Sequence, residues 1–176
     1  MKILFLQKRP LFPTDTGGKI RTLNVVRYLA RWHDVTYLCN VNPGDEQYFE
    51  PMRELGVRLV TLPWNETAHT DVRFFGQLAA NLVSRYPFNV NKDYDLELRR
   101  RAERLLRAEG FDLLICDFVQ MARNAIGLPA HASMLFQHNP AQCRGRDFPT
   151  AYADRSWLAA AKVHGYSVAE NATFRS

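Results

Sequence analysis

Two adjacent glycines, Gly17 and Gly18, separate an apolar segment from an amphipathic one near the start of the chain. The apolar segment, Lys2–Gln7, is typical of a buried strand, and residues 20–32 have the spacing of a helix. A glycine-rich turn before a helix lets backbone N–H groups approach a phosphate or another polar ligand closely. The same pattern also occurs where glycines only close a tight connection. The turn therefore points toward an α/β domain that handles a phosphorylated or sugar-like molecule, with the structural alternative left open.

Polar side chains also follow two later strand-like segments. Asp117 comes after the apolar run 112–116, and His138 and Asn139 come after residues 132–137. The Asp117 carboxylate could accept a hydrogen bond from a ligand hydroxyl or cap the helix that follows it. Judged from its residue type and position alone, His138 is better explained as a capping or core histidine than as a functional one.

These residues are positioned by strand-like and helix-like segments that alternate along the chain. The predicted strands are 2–7, 34–39, 57–62, 112–116 and 132–137, and the predicted helices are 20–32, 44–55, 71–86, 93–110, 119–126 and 154–173. Alternation at these lengths predicts a Rossmann-like doubly wound α/β fold, with a mostly parallel sheet and helices on both faces. In such sheets ligands bind beyond the carboxyl ends of the strands, where the glycine turn, Asp117, His138 and Asn139 would gather.

Composition limits the classes of function. The 176 residues fit a single domain, and the net charge is +5. Much of that excess lies in residues 99–107, where arginines alternate with glutamates at helical spacing, which favours a solvated helix face. Aromatic residues do not interleave with these arginines, so nucleic acid is not an expected partner.

The three cysteines, Cys39, Cys116 and Cys143, are far apart and lack the spacing of metal ligands or of a disulfide framework. We therefore expect reduced thiols, no metal and a cytoplasmic location. No segment is apolar and long enough to cross a bilayer, so membrane association would be peripheral, at the inner membrane face. The predicted helix 71–86, which contains Phe74 and Phe75, is more often core than membrane contact, and both interpretations stay open.

In this order, the motifs resemble the N-terminal domain of a family 4 glycosyltransferase of GT-B architecture. The matching segments are the first strand, the Gly17–Thr22 turn, the helix leading to the run Trp32-His33-Asp34-Val35-Thr36, and the run Phe136-Gln137-His138-Asn139. The resemblance covers nearly the whole chain and is greatest to the bacterial subgroup associated with exopolysaccharide assembly and exosortase systems.

The resemblance implies transfer of a sugar from a nucleotide-diphosphate donor to a glycan or lipid-linked acceptor, with retention of anomeric configuration and without a cofactor or metal. Gly17 and Gly18 would offer N–H groups to the leaving diphosphate, with positive charge from Lys19 and Arg21. His138 would orient the reacting sugar. By the same resemblance, Asn139 would anchor the turn or touch the acceptor, and Asp117 would bind an acceptor hydroxyl or cap a helix.

Two departures from the family pattern change these expectations. The residues after Asn139 read Pro140-Ala141-Gln142-Cys143 and lack the acidic residue usual in the subgroup, and the chain stops at Ser176, where the linker to a donor-binding domain would begin. We therefore expect a single acceptor-side domain, 1–176, that is inactive alone and is completed by a donor-binding domain or partner chain. The alternative is a non-catalytic glycan or nucleotide binding module of Rossmann type. A plain nucleotide binder fits less well, because the turn lacks the G-x-G-x-x-G spacing.

Overall fold

The computed structural model describes residues 1–64, 88–136 and 166–167. Six strands form one sheet: β1 (Lys2–Gln7), β2 (Asp34–Val41), β3 (Arg58–Pro63), β4 (Leu113–Asp117), β5 (Ala132–Phe136) and β6 (Tyr166–Ser167). The described helices are α1 (Gly17–Ala30), α2 (Phe49–Arg53), α3 (Phe88–Lys92), α4 (Leu96–Glu109) and α5 (Ala122–Ala125). Two 3-10 turns, Asp45–Tyr48 and Val119–Met121, precede α2 and α5.

All strand pairs are parallel, and the strand order is β3-β2-β1-β4-β5-β6. This order is the one found in Rossmann folds, with the chain running outward from β1 to β3 and then returning to β4 beside β1. The predicted α/β doubly wound fold is thereby confirmed.

Strand residues alternate between two apolar layers, because successive side chains point to opposite faces of a sheet. On one face, Ile3 and Phe5 of β1 pack with Leu23 and Val26 of α1. On the other face, Leu4 and Leu6 pack against the apolar side of α4, which consists of Leu98, Ala102, Leu105 and Leu106. The central strands of the sheet are therefore buried on both faces, which explains why their sequences are nearly continuously apolar.

The ends of the two longest described helices follow local capping chemistry. Thr16 is the N-cap of α1, and its Oγ1 accepts a hydrogen bond from the Lys19 backbone N–H at 3.3 Å. The helix predicted to begin at residue 93 begins later: Asp95 caps α4 by accepting from the Glu97 N–H at 2.9 Å. The reason lies outside the helix, because Asn124 holds the preceding loop in place through Asp93 O and Asp95 N.

The arginine-rich helix α4 is mostly the solvated face that the sequence predicts. Glu103 pairs with Arg107 at 2.9 Å, and Glu97 pairs with Arg100 at 2.9 Å. Arg99 turns inward, and its Nη1 donates to the carbonyls of Arg123 and Ile126 at the end of α5. Arg99, which the sequence pattern places on the solvated face, therefore joins α4 to α5.

The predicted helix 154–173 is wrong at Tyr166 and Ser167, which form β6 and pair with Ser133 and Met134 of β5. The edge of β5 offers backbone hydrogen-bonding groups to another strand. The helical pattern of residues 154–173 gives no sign of this partner. The predicted helix 71–86, with Phe74 and Phe75, lies outside the described residues, as does Cys143. In the ranges that the structure describes, no helix has the length and apolarity to cross a membrane.

Candidate functional site

A cleft of about 270 Å³ opens at the carboxyl edge of the sheet, at the ends of the neighbouring strands β1 and β4. The chain leaves β1 toward α1 on one face and reaches β4 from α4 on the other. Such a reversal is a topological switch point, where open α/β sheets bind their ligands. We call this feature the switch-point cleft, and its polar lining includes Gln7, Lys8, Thr16, Lys19, Asp93 and Gln120.

Asp117, one of the predicted ligand-binding residues, ends β4 and is fully buried. Its Oδ2 accepts hydrogen bonds from Gln7 Nε2 and, at 2.8 Å, from the hydroxyl of Thr22 in α1. Gln7 Oε1 accepts in turn from the Lys8 backbone N–H at 2.6 Å. A buried carboxylate needs such donors, because removing it from water without partners is costly. Asp117 thus joins β4, β1 and α1, and it positions the walls of the cleft without lining it.

The two glycines of the turn have different surroundings. They are the first two residues of α1, and neither has a positive φ. A Cβ on Gly18 would lie 3.0 Å from Cζ of Phe118, whereas a Cβ on Gly17 would meet nothing within 4 Å. At Gly18, the close contact that requires a glycine is therefore made by the Phe118 side chain. At Gly17, the start of the helix faces open space.

Phe118 has a strained backbone conformation beside the cleft. Its φ is 68° and its ψ is 141°, and it is the one described non-glycine residue with a positive φ. Its backbone N–H donates to the Phe136 carbonyl of β5 at 2.9 Å. Strain of this kind costs about 1–3 kcal/mol and is found preferentially at functional sites. The strained residue turns the chain sharply after β4 and places the Phe118 ring in the wall of the cleft.

Three cationic side chains line the cleft: Lys8, Arg9 and Lys19. The ammonium of Lys8 lies 2.8 Å from Oδ1 of the buried Asp93. The ammonium of Lys19 lies 3.0 Å from Asp15 Oδ1 and donates to the Pro13 carbonyl at 3.1 Å. The hydrogen bond from Lys19 lowers the pKa of the exposed Asp15 carboxyl. The cleft is therefore polar, and at least two of its cations are already compensated by carboxylates.

Two other predicted residues lie in a second concavity. Gly17 and Arg21 line a groove of about 530 Å³ along the outer face of α1, together with Ile20, Asn24, Tyr28 and Leu29. The Arg21 guanidinium lies 5.4 Å from the ring centroid of Phe136, the last residue of β5. We call this feature the α1 groove. It shares the N-terminal turn of α1 with the switch-point cleft, so the predicted glycine turn borders both concavities.

Two predicted residues, His138 and Asn139, lie outside the described residues, and their roles stay predictions. Within the described ranges, no group of three or more His, Cys, Asp or Glu side chains could hold a metal ion.

Sequence reasoning assigned no site role to several polar residues of the cleft, among them Lys8, Asp93 and Gln120. The end of the apolar run at Gln7 and Lys8 gave a local signal, since a polar residue at the carboxyl end of a central strand reaches the ligand edge. Asp93 and Gln120 carry no such signal, because their position depends on contacts distant in sequence.

Comparisons with known proteins give no family. No model of a known protein family matches the chain, and no curated protein matches it. Among solved structures, the chain is similar to the C-terminal domain of a hydrogenase from Pyrococcus furiosus, with 15% identity, a TM-score of 0.47, and 78% of this chain and 90% of that domain covered. It is also similar to a C2-type ketoreductase from a modular polyketide synthase, with 15% identity and a TM-score of 0.32, covering 95% of this chain and 46% of the ketoreductase. Similarities this low carry no argument about function, and the fold assignment rests on the strand order described above.

Proposed function

We propose that this domain is the acceptor-side half of a retaining glycosyltransferase, which moves a sugar from a nucleotide-diphosphate donor to a glycan or lipid-linked acceptor. The observation that supports the proposal most is the switch-point cleft, with amide, hydroxyl and ammonium groups on its lining next to the start of α1. Mixed donors and acceptors of this kind suit the hydroxyl groups of a sugar.

The size of the cleft supports a half-site rather than a complete one. Pockets for whole drug-sized ligands occupy about 300–1,000 Å³, and the cleft occupies about 270 Å³. The cleft formed by the described residues is therefore closer in size to a single sugar ring than to a complete nucleotide sugar. The nucleotide of the donor would then be held by a second domain, and transfer would require that domain.

The start of α1 suits the leaving diphosphate. The first N–H groups of a helix have no partner within the helix, and the helix dipole favours negative charge there. Gly17 and Arg21 both line the α1 groove. In this proposal Gly17 and Arg21 face the diphosphate, while the switch-point cleft on the other side of the same turn receives the acceptor.

Sugar transfer tests this assignment directly. Transfer from a panel of nucleotide sugars is measured for the domain alone and for the domain combined with a donor-binding domain, in one polypeptide or in trans. We expect no turnover by the domain alone. In the combined protein, Arg21→Gln should reduce turnover about tenfold to a hundredfold. The matched variant Arg100→Gln, which removes an arginine of an exposed ion pair on α4, should leave turnover unchanged.

A lipid-linked acceptor would bring the domain to a membrane surface, and the exposed face of α1 suits such a contact. Tyr28 and Trp32 are 64% and 70% exposed, and Arg27 and Arg31 are exposed beside them. The sequence from residue 17 to 33 contains no acidic residue. Exposed aromatic rings next to arginines are typical of surfaces that bind anionic lipid headgroups.

Co-sedimentation with phosphatidylglycerol vesicles measures this contact. Binding should fall in the double variant Tyr28→Ser, Trp32→Ser and should persist in Leu96→Ser, which removes an exposed apolar side chain from α4. Equal binding by both variants would contradict the membrane contact and would leave the proposal open for a soluble glycan acceptor.

A further inference from the structure

A third concavity, of about 460 Å³, lies between the last turn of α1, the C-terminal end of α2 and the loop after β1. The charged side chains of its lining are Arg27, Arg31 and Glu54, and apolar side chains beside them include Phe12, Pro51 and Leu55. We call this feature the α1–α2 pocket. It shares no lining residue with the switch-point cleft or with the α1 groove, so it is a separate site.

Arg27 and Arg31 bring two positive charges to this pocket from positions one helical turn apart. Both residues are exposed, and neither forms an ion pair with another residue that the structure describes. Like charges at this spacing repel each other, although the helix dipole favours cations in a last turn. Other exposed arginines have a glutamate one turn away on their own helix: Arg53 pairs with Glu50, Arg100 with Glu97 and Arg107 with Glu103. The two arginines of the pocket lack such compensation, which an anionic ligand would supply.

A phosphate monoester matches these two charges better than a carboxylate does. A guanidinium binds either group through two parallel N–H···O bonds. A carboxylate offers two oxygens and a single charge, which one arginine satisfies. A phosphate monoester offers three terminal oxygens and a charge of about −1.5 to −2 at neutral pH. It can therefore engage Arg27 and Arg31 together.

The size and the remaining lining of the pocket indicate a ligand larger than an ion. Its volume of about 460 Å³ lies within the range of about 300–1,000 Å³ found for small-molecule sites. The Glu54 carboxylate limits the negative charge that the pocket tolerates, which disfavours diphosphates and triphosphates. We propose that the α1–α2 pocket binds one phosphate monoester of a compact apolar group, with the phosphate on Arg27 and Arg31 and the apolar group against Phe12 and Leu55. This binding does not depend on the proposed function.

Calorimetric titration of the unaltered chain with phenyl phosphate tests the inference, with inorganic phosphate and benzoate as comparison probes. Phenyl phosphate should bind saturably and about tenfold more tightly than either comparison probe, because its ring is buried as well. Arg27→Gln and Arg31→Gln should each weaken binding about tenfold to a hundredfold, through the loss of charge-assisted hydrogen bonds. Glu54→Gln should strengthen it about twofold to fivefold. The matched variant Arg53→Gln, on α2 but outside the pocket, should leave binding unchanged.

The headgroup of phosphatidic acid has the same chemistry as a soluble phosphate monoester, and vesicles distinguish the two sources. Co-sedimentation is compared between phosphatidylcholine vesicles that contain phosphatidic acid and vesicles that contain phosphatidylglycerol, a diester, at equal surface charge. A preference for phosphatidic acid that is lost in Arg27→Gln would support the pocket and assign it to a lipid headgroup. Saturable phenyl phosphate binding without that preference would support the pocket and assign it to a soluble ester.

Three results would overturn the inference. The first is neither saturable phenyl phosphate binding nor a preference for phosphatidic acid. The second is benzoate binding as tight as that of phenyl phosphate, and the third is binding that Arg21→Gln weakens while Arg27→Gln does not, which would place the phosphate in the α1 groove. Without ligand, Arg27→Gln should unfold at an equal or higher temperature, because it removes a like-charge pair, so weakened binding would not reflect unfolding. None of these results bears on sugar transfer by the combined protein, which tests the proposed function separately.

Discussion

The ring of Phe118 occupies the space that a side chain at residue 18 would need: Cζ lies 3.0 Å from the position of a Cβ on Gly18. This contact joins the turn after β4 to the first turn of α1, the two segments between which the switch-point cleft opens. With a larger residue at the second position of the helix, the Phe118 ring would have to shift by a few tenths of an ångström.

The contact predicts different effects for the two glycines. Gly18→Ala should lower the free energy of unfolding by about 1–3 kcal/mol, because the added methyl group overpacks against the Phe118 ring. Gly17→Ala should be neutral or stabilise by up to about 1 kcal/mol, since open space surrounds it and alanine restricts the unfolded chain. Urea unfolding monitored by circular dichroism measures both. If Phe118→Ala fails to relieve the cost of Gly18→Ala in the double variant, the contact is not its cause.

The strained backbone of Phe118 predicts an unusual order of stabilities. Phe118→Gly and Phe118→Ala both remove the ring, but only glycine adopts a φ of 68° without strain. The glycine variant should therefore be more stable than the alanine variant by about 1–2 kcal/mol. Leu62, in β3, and Leu128 serve as controls, because neither has a positive φ. At these positions the alanine variant should be more stable than the glycine variant, which is the usual order. An alanine variant as stable as the glycine variant would show that residue 118 relaxes to an ordinary conformation.

The hydrogen bonds of Asp117 predict a large cost for a nearly isosteric change. Asp117→Leu replaces the carboxylate with an apolar group of similar size, which cannot accept from Gln7 or Thr22. We expect a loss of about 2–4 kcal/mol in the free energy of unfolding, because two buried donors are left unsatisfied. Asp112→Leu is the matched control at the other end of the same segment, where the carboxylate is exposed and accepts from the Lys2 N–H. A loss equal to that of the control would rule out the positioning role of Asp117.

The buried cysteines predict how stability depends on pH. Burial raises the pKa of the thiols of Cys39 and Cys116, in both cases above the ordinary value of 9.0. The folded state therefore keeps both thiols protonated, while the unfolded chain releases their protons above pH 9. The stability is fully present below that pH and falls as the pH rises, by about 1.4 kcal/mol per thiol per pH unit.

Unfolding at several alkaline pH values in a Cys143→Ser background measures this dependence. Cys116→Val should remove about half of the thiol contribution to the slope. A free energy of unfolding that stays constant from neutral pH to above pH 9 would show that the thiols ionise equally in both states.

The sheet and the two central helices could be predicted because their signals are local. The apolar runs of β1 and β4 and the Thr16 cap of α1 depend on neighbouring residues alone. The helix expected at residues 166–167 was wrong because strand pairing with β5 prevailed over the local pattern.

The cleft could be predicted only in part, because several of its features depend on contacts between distant segments. The pairing of Lys8 with Asp93 joins residues 85 positions apart, and Asn124 fixes the loop that carries Asp93. The positive φ of Phe118 has no signal in the sequence, since a phenylalanine rarely adopts it. The sequence therefore pointed to the edge of the sheet where the cleft opens, but not to the groups that line the cleft.

The most direct test of the acceptor-side assignment is calorimetric titration of the unaltered chain with UDP-glucose and GDP-mannose. If the domain supplies only the acceptor side, neither nucleotide sugar should give a saturable heat, because the nucleotide is held by another domain. Stoichiometric binding of either one, weakened by Arg21→Gln but not by Arg100→Gln, would contradict the assignment and would establish a complete nucleotide-sugar site on this chain.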